Sequence, residues 1–301
     1  MNLFVFGLGY SATSAVNSLA DHCRRTGGFV SATTRTREKA DIIAAKGLRA
    51  HVFSGDAPGD AALKADLQAA THILMSIAPG DSDPVLRHHG ADIRAAPALE
   101  WIGYYSTVGV YGDHEGAWVS EAAALKPSSR RSKERVEAED GWTALGKECG
   151  IPVSLIRLAG IYGPGRNTLV NLSDGSARRI IKPGQVFNRI HVADIARITE
   201  AAAIMKAHGV FNGADNEPAP PQDVVEYGAR LMGLPVPPDI PFETANLSAM
   251  GRSFYGETKR VSNLRLKADL GIDLLYPTYR EALDALWQSD TWREAPLLSP
   301  F

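Results

Sequence analysis

The sequence predicts an α/β fold, a doubly wound parallel sheet with a smaller, discontinuous C-terminal lobe. Short apolar runs alternate with helix-like stretches up to about residue 160 and again near residue 210. This order implies parallel strand pairing with right-handed crossovers. The first apolar run, Leu3 to Phe6, leads into Gly7, Gly9 and Ala12, small residues spaced for a tight turn from strand into helix. After Gly163 the alternation breaks, and the proline-rich connectors Pro218–Pro221 and Leu234–Pro241 lead into short helical stretches.

Taken in order, the elements support that layout. Val16, Leu19, Ala20 and Cys23 fall at i, i+3, i+4 and i+7, giving the first helix one apolar face. Gly28–Thr33 reads as the second strand, followed by a helix over Thr36–Ala45 that Gly47 can end. Leu48–Phe53 is the third strand, Leu63, Leu67 and Ala70 share a helix face, and His72–Ile77 is the fourth strand. Trp101–Thr107 and Val153–Gly160 are the fifth and sixth. Ala138, Trp142 and Leu145 place a helix over about Ser129–Cys149 between them. Ile195, Ile198, Ala202 and Met205 mark another buried face, and Val210–Ala214 another strand. Tyr279, Ala282, Leu283 and Leu286 mark a late amphipathic helix. The expected division is 1–165 plus 190–216 for the sheet domain and 166–189 plus 217–301 for the lobe.

Composition excludes several classes. With 32 basic and 34 acidic side chains and a formal charge of −2, nothing favours nucleic acid or an anionic membrane as main partner. No run approaches the length of a membrane span. The first run lacks the preceding positive charge and the unbroken apolar core of a secretory signal. Cys23 and Cys149 have neither metal-ligand nor disulfide-framework spacing, so no metal is expected and a reducing cytoplasm is the expected location.

The small residues after the first strand have a chemical reading. One glycine makes the turn, the next lets backbone approach a pyrophosphate, and Ala12 lets the helix pack closely with its N-terminus facing the phosphates. The fold is thus read as a dinucleotide-binding Rossmann fold. The candidate cofactor-binding set is Gly7, Gly9, Tyr10, Ser11 and Ala12, with Ala78 beyond the fourth strand and Gly160 closing the sixth. At the end of the second strand, an acidic residue would accept from a ribose 2'-hydroxyl. Thr33, Thr34 and Arg35 stand there instead. A hydroxyl and a guanidinium suit a 2'-phosphate, so NADP(H) is preferred and NAD(H) remains possible. Arg37 is a second, weaker candidate for the phosphate contact.

Four further segments carry a resemblance: YYSTVGVYGDHEGAWVSE (Tyr104–Glu121), LIRLAGIYGPGR (Leu155–Arg166), FNRIHVADIA (Phe187–Ala196) and VFNGADNEP (Val210–Pro218). With the GLGY phosphate loop they resemble, in order, the extended and atypical short-chain dehydrogenase/reductases, the NAD-dependent epimerase/dehydratase family. The resemblance implies an NAD(P)-dependent oxidoreductase or epimerase-like enzyme, with hydride transfer at a hydroxyl or carbonyl carbon of a small polar, possibly nucleotide-sugar-like substrate. Thr107, three residues before the Val of VYG, takes the position that polarises the substrate oxygen. Lys133 takes the position of the ribose-binding lysine, which in the family also lowers the pKa of a tyrosine four residues earlier. Here Ser129 occupies that tyrosine position, and a serine hydroxyl is far less acidic than a phenol.

The acid/base role is therefore open among Tyr111, the first choice, and Tyr162, His114 and Asp113. The resemblance further implies substrate contacts from Arg166, Asn188 and Arg189, while His191 is read as structural. Lys259 and Arg260 form a basic pair able to close over an anionic substrate, or simply a solvated pair. A homodimer face around Lys133 is possible. A cofactor-binding regulator or redox sensor without catalysis is the alternative function, favoured by Ser129.

Overall fold

The computed structural model describes residues 1–301. Seven strands form one parallel sheet: β1 (Leu3–Phe6), β2 (Val30–Thr34), β3 (Arg49–Val52), β4 (His72–Met75), β5 (Trp101–Thr107), β6 (Val153–Leu158) and β7 (Gly209–Gly213). Their spatial order is β7-β6-β5-β4-β1-β2-β3. The order reverses beside β1, so a crevice opens at the carboxyl ends of β1 and β4, where doubly wound sheets take their ligands.

The sheet is buried on both faces, as parallel sheets require. Successive side chains of β1 enter different cores: Leu3 and Val5 join one, Phe4 and Phe6 the other. The first core is closed by α1 (Tyr10–Arg25) and the helix Val192–Ile204, with Ala15, Val16, Leu19, Ile195 and Ile198 facing the sheet. The second is closed by α3 (Ala61–Gln68), α4 (Pro84–Arg94) and α5 (Arg130–Cys149), through Leu63, Ile93 and Trp142. α2 (Arg37–Ala44) packs at the sheet margin beside β3 and adds Ile43 to the first core. Two ends of α5 are set by sequence: the Ser129 hydroxyl accepts from the Ser132 amide at its start, and Gly150, at φ 69°, ends it in the left-handed conformation.

The sequence reading assigns no element to 84–94, where α4 lies. Its signals are local: the Asp83 carboxylate accepts from the Val85 and Leu86 amides, and Pro84 opens the helix. The apolar face of α4 is narrow, with His89 buried between Val85 and Ile93, which hides its period.

The smaller lobe packs the helices Thr168–Ser173, Pro221–Leu231 and Tyr279–Gln288 around Leu169, Val224, Leu283 and Leu286. The structure differs from the expected division in one respect. Val261, Leu266, Leu270, Ile272 and Leu274 belong to the first sheet core, and the chain end returns to it, with Phe301 N–H donating to the Lys46 carbonyl. Residues 260–275 and the C-terminal tail therefore pack on the sheet domain, while 217–259 and 276–292 supply most of the lobe.

A buried polar network fastens the central strands to α5. Arg157 on β6 makes two hydrogen bonds to Glu139 on α5, at 2.6 and 3.0 Å, and a third at 3.0 Å to the Tyr111 hydroxyl. Tyr111 in turn donates to Asn212 on β7 at 2.7 Å, and Ser106 on β5 donates to Glu139. Breaking one partner of a buried pair leaves an uncompensated charge, at a cost of about 3–5 kcal/mol. Glu139→Gln is expected to lower unfolding free energy by that amount, read as a lower urea midpoint with an unchanged denaturant slope.

Candidate functional site

The loop after β1 is shaped by two constraints. Gly7 has φ 86°, and a Cβ there would sit 2.7 Å from Ile77 Cγ1, so only glycine fits without displacing β4's continuation. The Gly7 amide donates to the Thr33 hydroxyl at 2.8 Å, and the Leu8 amide to the Thr33 carbonyl at 2.9 Å. Strand β2 thus holds the loop from beneath. Thr33 is fully buried and Thr34 only 9% exposed, while Arg35 just beyond them is exposed.

The start of α1 is the electrostatic centre of the crevice. Its N-cap is Gly9, without a side-chain cap, and its first turn carries no acidic residue. By contrast, α2, α3, α4 and α5 each have a side-chain cap, from Thr36, Asp60, Asp83 and Ser129. The first amides of α1 are left as donors at the positive end of a 16-residue helix. Gly9 is exposed, and a Cβ there would meet nothing within 4 Å. The cradle is open and fits a dinucleotide pyrophosphate.

Tyr10 at the head of α1 reaches across the crevice, its hydroxyl donating to the Pro164 carbonyl at 2.9 Å. Burial pushes that phenol up to about 12, against the pull of Arg166. The bond ties the cofactor loop to the loop after β6, where Arg166 is exposed and its guanidinium forms no ion pair. Ala78 and Gly160 are likewise exposed, beyond β4 and β6. Arg35 and Arg37 are exposed beside β2's end, and neither is paired with a carboxylate.

Thr107 closes β5 at the crevice, half-buried. Its hydroxyl accepts from the Gly109 amide at 3.2 Å and caps the turn Val108–Tyr111, leaving its own proton available. Gly112 completes this turn at φ 66°, where a Cβ would collide with the Lys126 carbonyl at 1.8 Å. Next to Thr107 stands Ser132: a Cβ on Gly109 would lie 3.3 Å from the Ser132 hydroxyl and 3.4 Å from that of Thr107. Ser132 is bonded to the Ser129 hydroxyl at 2.9 Å. These three hydroxyls occupy the junction of β5 and α5. Lys133 is exposed on the first turn of α5 and makes no ion pair.

Several sequence candidates take other roles. Tyr111 is fully buried, with its hydroxyl committed to Asn212 and Arg157, and burial raises its pKa. It belongs to the central network and has no access to the crevice, so it is not the acid/base. Ser129 is the cap of α5: its carbonyl accepts from the Lys133 amide at 3.1 Å, so the i, i+4 spacing is kept, but its short hydroxyl is spent on the Ser132 amide and hydroxyl. Asn188 spends its amide on backbone, donating to Lys259 O and accepting from Val261 N. It pins the returning segment to the sheet domain.

Arg189 donates to the Phe187 and Ala219 carbonyls, and burial lowers its pKa. His191 caps the helix Val192–Ile204, accepting from the Ala193 amide, and burial lowers it to about 4, in keeping with a structural histidine. Asp113 holds the Thr258 and Glu115 amides, which depress its pKa. The Tyr162 hydroxyl is buried without a partner, and burial raises it. His114 faces the Ala124 carbonyl. Lys259 is buried, bonded to Gly112 O at 2.7 Å and to Glu257 at 2.8 Å; it locks the C-terminal segment onto the VYG turn and is not a solvated partner of Arg260.

Ser132 carries no motif that marks it in the sequence, and Thr33, expected beside Thr34 at the ligand end of the strand, instead holds the Gly7 amide. The alternation along β2 was the available signal, since Thr33 and Ser31 share a face.

These features define a chain with the short-chain dehydrogenase/reductase fold, the doubly wound fold of NAD-dependent epimerases and dehydratases. A dTDP-glucose 4,6-dehydratase from Bacillus anthracis str. Ames in complex with NAD superposes with a TM-score of 0.74 at 16% identity, covering 96% of each chain. No protein-family model matches the chain. It belongs to the same family as a conserved protein of unknown function from Silicibacter pomeroyi DSS, with 44% identity, a TM-score of 0.85, and coverage of 96% of this chain and 99% of that one. Protein YeeZ of Escherichia coli (strain K12) is 29% identical over 234 residues, 72% of this chain and 74% of that one. No helix is long and apolar enough to cross a membrane.

The buried Thr33 hydroxyl sets the conformation of Gly7 from below. Thr33→Val is expected to weaken dinucleotide binding about tenfold, the worth of one hydrogen bond in positioning the loop, while Thr33→Ser stays near the parent. Calorimetric titration with NADP+ checks both.

Proposed function

We propose that the protein is an NADP(H)-preferring oxidoreductase or epimerase-like enzyme acting at a hydroxyl or carbonyl carbon of a small polar substrate. The observation that carries this reading is the uncapped, acid-free start of α1 beneath the Gly7–Gly9 turn, on a fold shared with NAD-dependent enzymes. A nicotinamide cofactor held there would supply the hydride chemistry. The chain supplies position and electrostatics. The amides at the head of α1 hold the pyrophosphate, and Thr34 and Arg35 receive a 2'-phosphate. Thr107, its proton uncommitted, donates to the substrate oxygen. Lys133 has an unpaired ammonium for the ribose, and Arg166 offers a free guanidinium to an anionic substituent.

A second reading is a cofactor-holding regulator or redox sensor without turnover. It is supported by the burial of Tyr111 and the capping role of Ser129, which leave neither position supplying a phenol beside Thr107. Incubation with NADPH and a panel of sugar nucleotides and small carbonyls separates the two. Oxidation of NADPH that Thr107→Val abolishes supports the enzyme; tight NADPH binding with no oxidation across the panel supports the regulator.

For the cofactor, a bidentate contact to phosphate is worth about 1.5–3 kcal/mol. Arg35→Ala is expected to weaken NADP+ binding at least about tenfold and to leave NAD+ affinity unchanged, measured by calorimetry. Equal effects on both would remove Arg35 from the 2'-phosphate site.

A further inference from the structure

Tyr10 serves two loops at once. Its backbone amide belongs to the open start of α1, the cradle for a pyrophosphate, and its hydroxyl donates to the Pro164 carbonyl at 2.9 Å. The other end of that same peptide is also held, because the Gly165 N–H donates to the Trp292 carbonyl at 2.8 Å. Trp292 is 2% exposed and packs with Leu283 and Leu286 in the core of the smaller lobe. One peptide plane is therefore gripped by the cofactor helix at its oxygen and by the lobe at its nitrogen.

The close approach is built in on both sides. A Cβ at Gly163 would lie 2.8 Å from the Tyr10 hydroxyl, and one at Gly165, where φ is 72°, would lie 2.5 Å from the Ala295 nitrogen. Both neighbours reach the peptide because these two positions lack side chains. The turn also closes on itself, with Gly163 N–H donating to Arg166 O at 2.9 Å and Arg166 N–H to Gly163 O at 3.0 Å. Asn167 Nδ2 donates to Gly163 O and to Trp292 O, each at 2.8 Å. Beyond Trp292 the chain returns along α1, where Asn17 donates to Leu297 O and accepts from the Ser299 amide, both at 2.9 Å.

The charges that meet at this clamp have the same sign. Arg166 ends the turn, exposed and without an ion pair. Burial raises the Tyr10 phenol, and Arg166 stands close enough to pull it back down. The head of α1 is the positive end of the helix dipole. An anion bound at the α1 amides relieves the repulsion between the two, and so favours the clamped turn.

We propose that Tyr10 is a positioning residue that couples dinucleotide binding to the smaller lobe through the Pro164–Gly165 peptide, so that the Arg166 guanidinium is fixed for an anionic substrate group after the cofactor's pyrophosphate binds. The inference rests on the cofactor reading above. It makes binding ordered, dinucleotide first. By linkage, an anion held at Arg166 tightens the dinucleotide by the same factor.

The test is amide hydrogen exchange of the full chain, read in 1H–15N spectra with and without saturating NADP+. It compares the parent with Tyr10→Phe, which keeps the ring and removes the hydrogen bond to Pro164. In the parent, NADP+ is expected to slow exchange of the Gly165 and Arg166 amides at least about fivefold, the worth of one hydrogen bond. In Tyr10→Phe the Gly9 and Ser11 signals still shift saturably, while the slowing at Gly165 and Arg166 falls below about twofold. A tyrosine with a purely structural role would speed exchange in both states and leave their ratio intact. Such an unchanged ratio would overturn the coupling alone, as would a parent whose turn exchanges at one rate with and without NADP+ while Gly9 and Ser11 respond. Unmoved Gly9 and Ser11 signals in the parent would remove the cofactor reading, and the coupling with it.

Discussion

The crevice depends on a helix start that is left unfinished. Helices ordinarily satisfy their first amides with a side-chain oxygen, and α1 does not: Gly9 has no side chain to offer, and the first turn carries no acid. Neighbouring elements converge on keeping that end open and fixed. Thr33 holds Gly7 from β2, Ile77 allows no side chain at Gly7, and Tyr10 ties the helix head to the loop after β6. The strand order places this end at the reversal point of the sheet, so topology and local electrostatics select the same place.

The chemistry beside the cradle departs from the pattern suggested by the resemblance. The segment around Lys133 retains the lysine, but the residue four positions earlier is a serine that caps the helix. What occupies the junction of β5 and α5 is a set of hydroxyls, Thr107, Ser132 and Ser129. The one tyrosine of the VYG turn is drawn into the interior by Arg157 and Asn212. That network welds three neighbouring strands, β5, β6 and the edge strand β7, to α5 and gives Tyr111 a stabilising task. The hydroxyls of Thr107, Ser132 and Ser129 are far less acidic than a phenol.

Much of the architecture was legible because it rests on local signals. The apolar runs of β1, β4 and β5, the face of α1 and the glycine spacing after β1 are all short-range patterns, and the strands fall within a few residues of their expected bounds. α4 escaped notice because His89 stands in the middle of its apolar face. The role of a side chain was less legible than its place. Asn188 and Lys259 look like substrate residues in the linear sequence, yet both are consumed in fastening residues 257–261 onto the sheet domain. Thr33 looked like a ligand contact, yet its hydroxyl faces down into the loop. Those assignments depend on segments 26 to 147 positions away, which no local pattern encodes. The return of Val261–Leu274 to the first core is of the same kind.

The claim that the head of α1 is the anion cradle is tested most directly by its own amides. In a 1H–15N correlation spectrum of the full-length protein titrated with NADP+, the Gly9, Tyr10 and Ser11 amide signals should move first, furthest and saturably, with Arg35 following as the 2'-phosphate is engaged. Saturable shifts confined to other regions, with those three amides unmoved, would contradict the account.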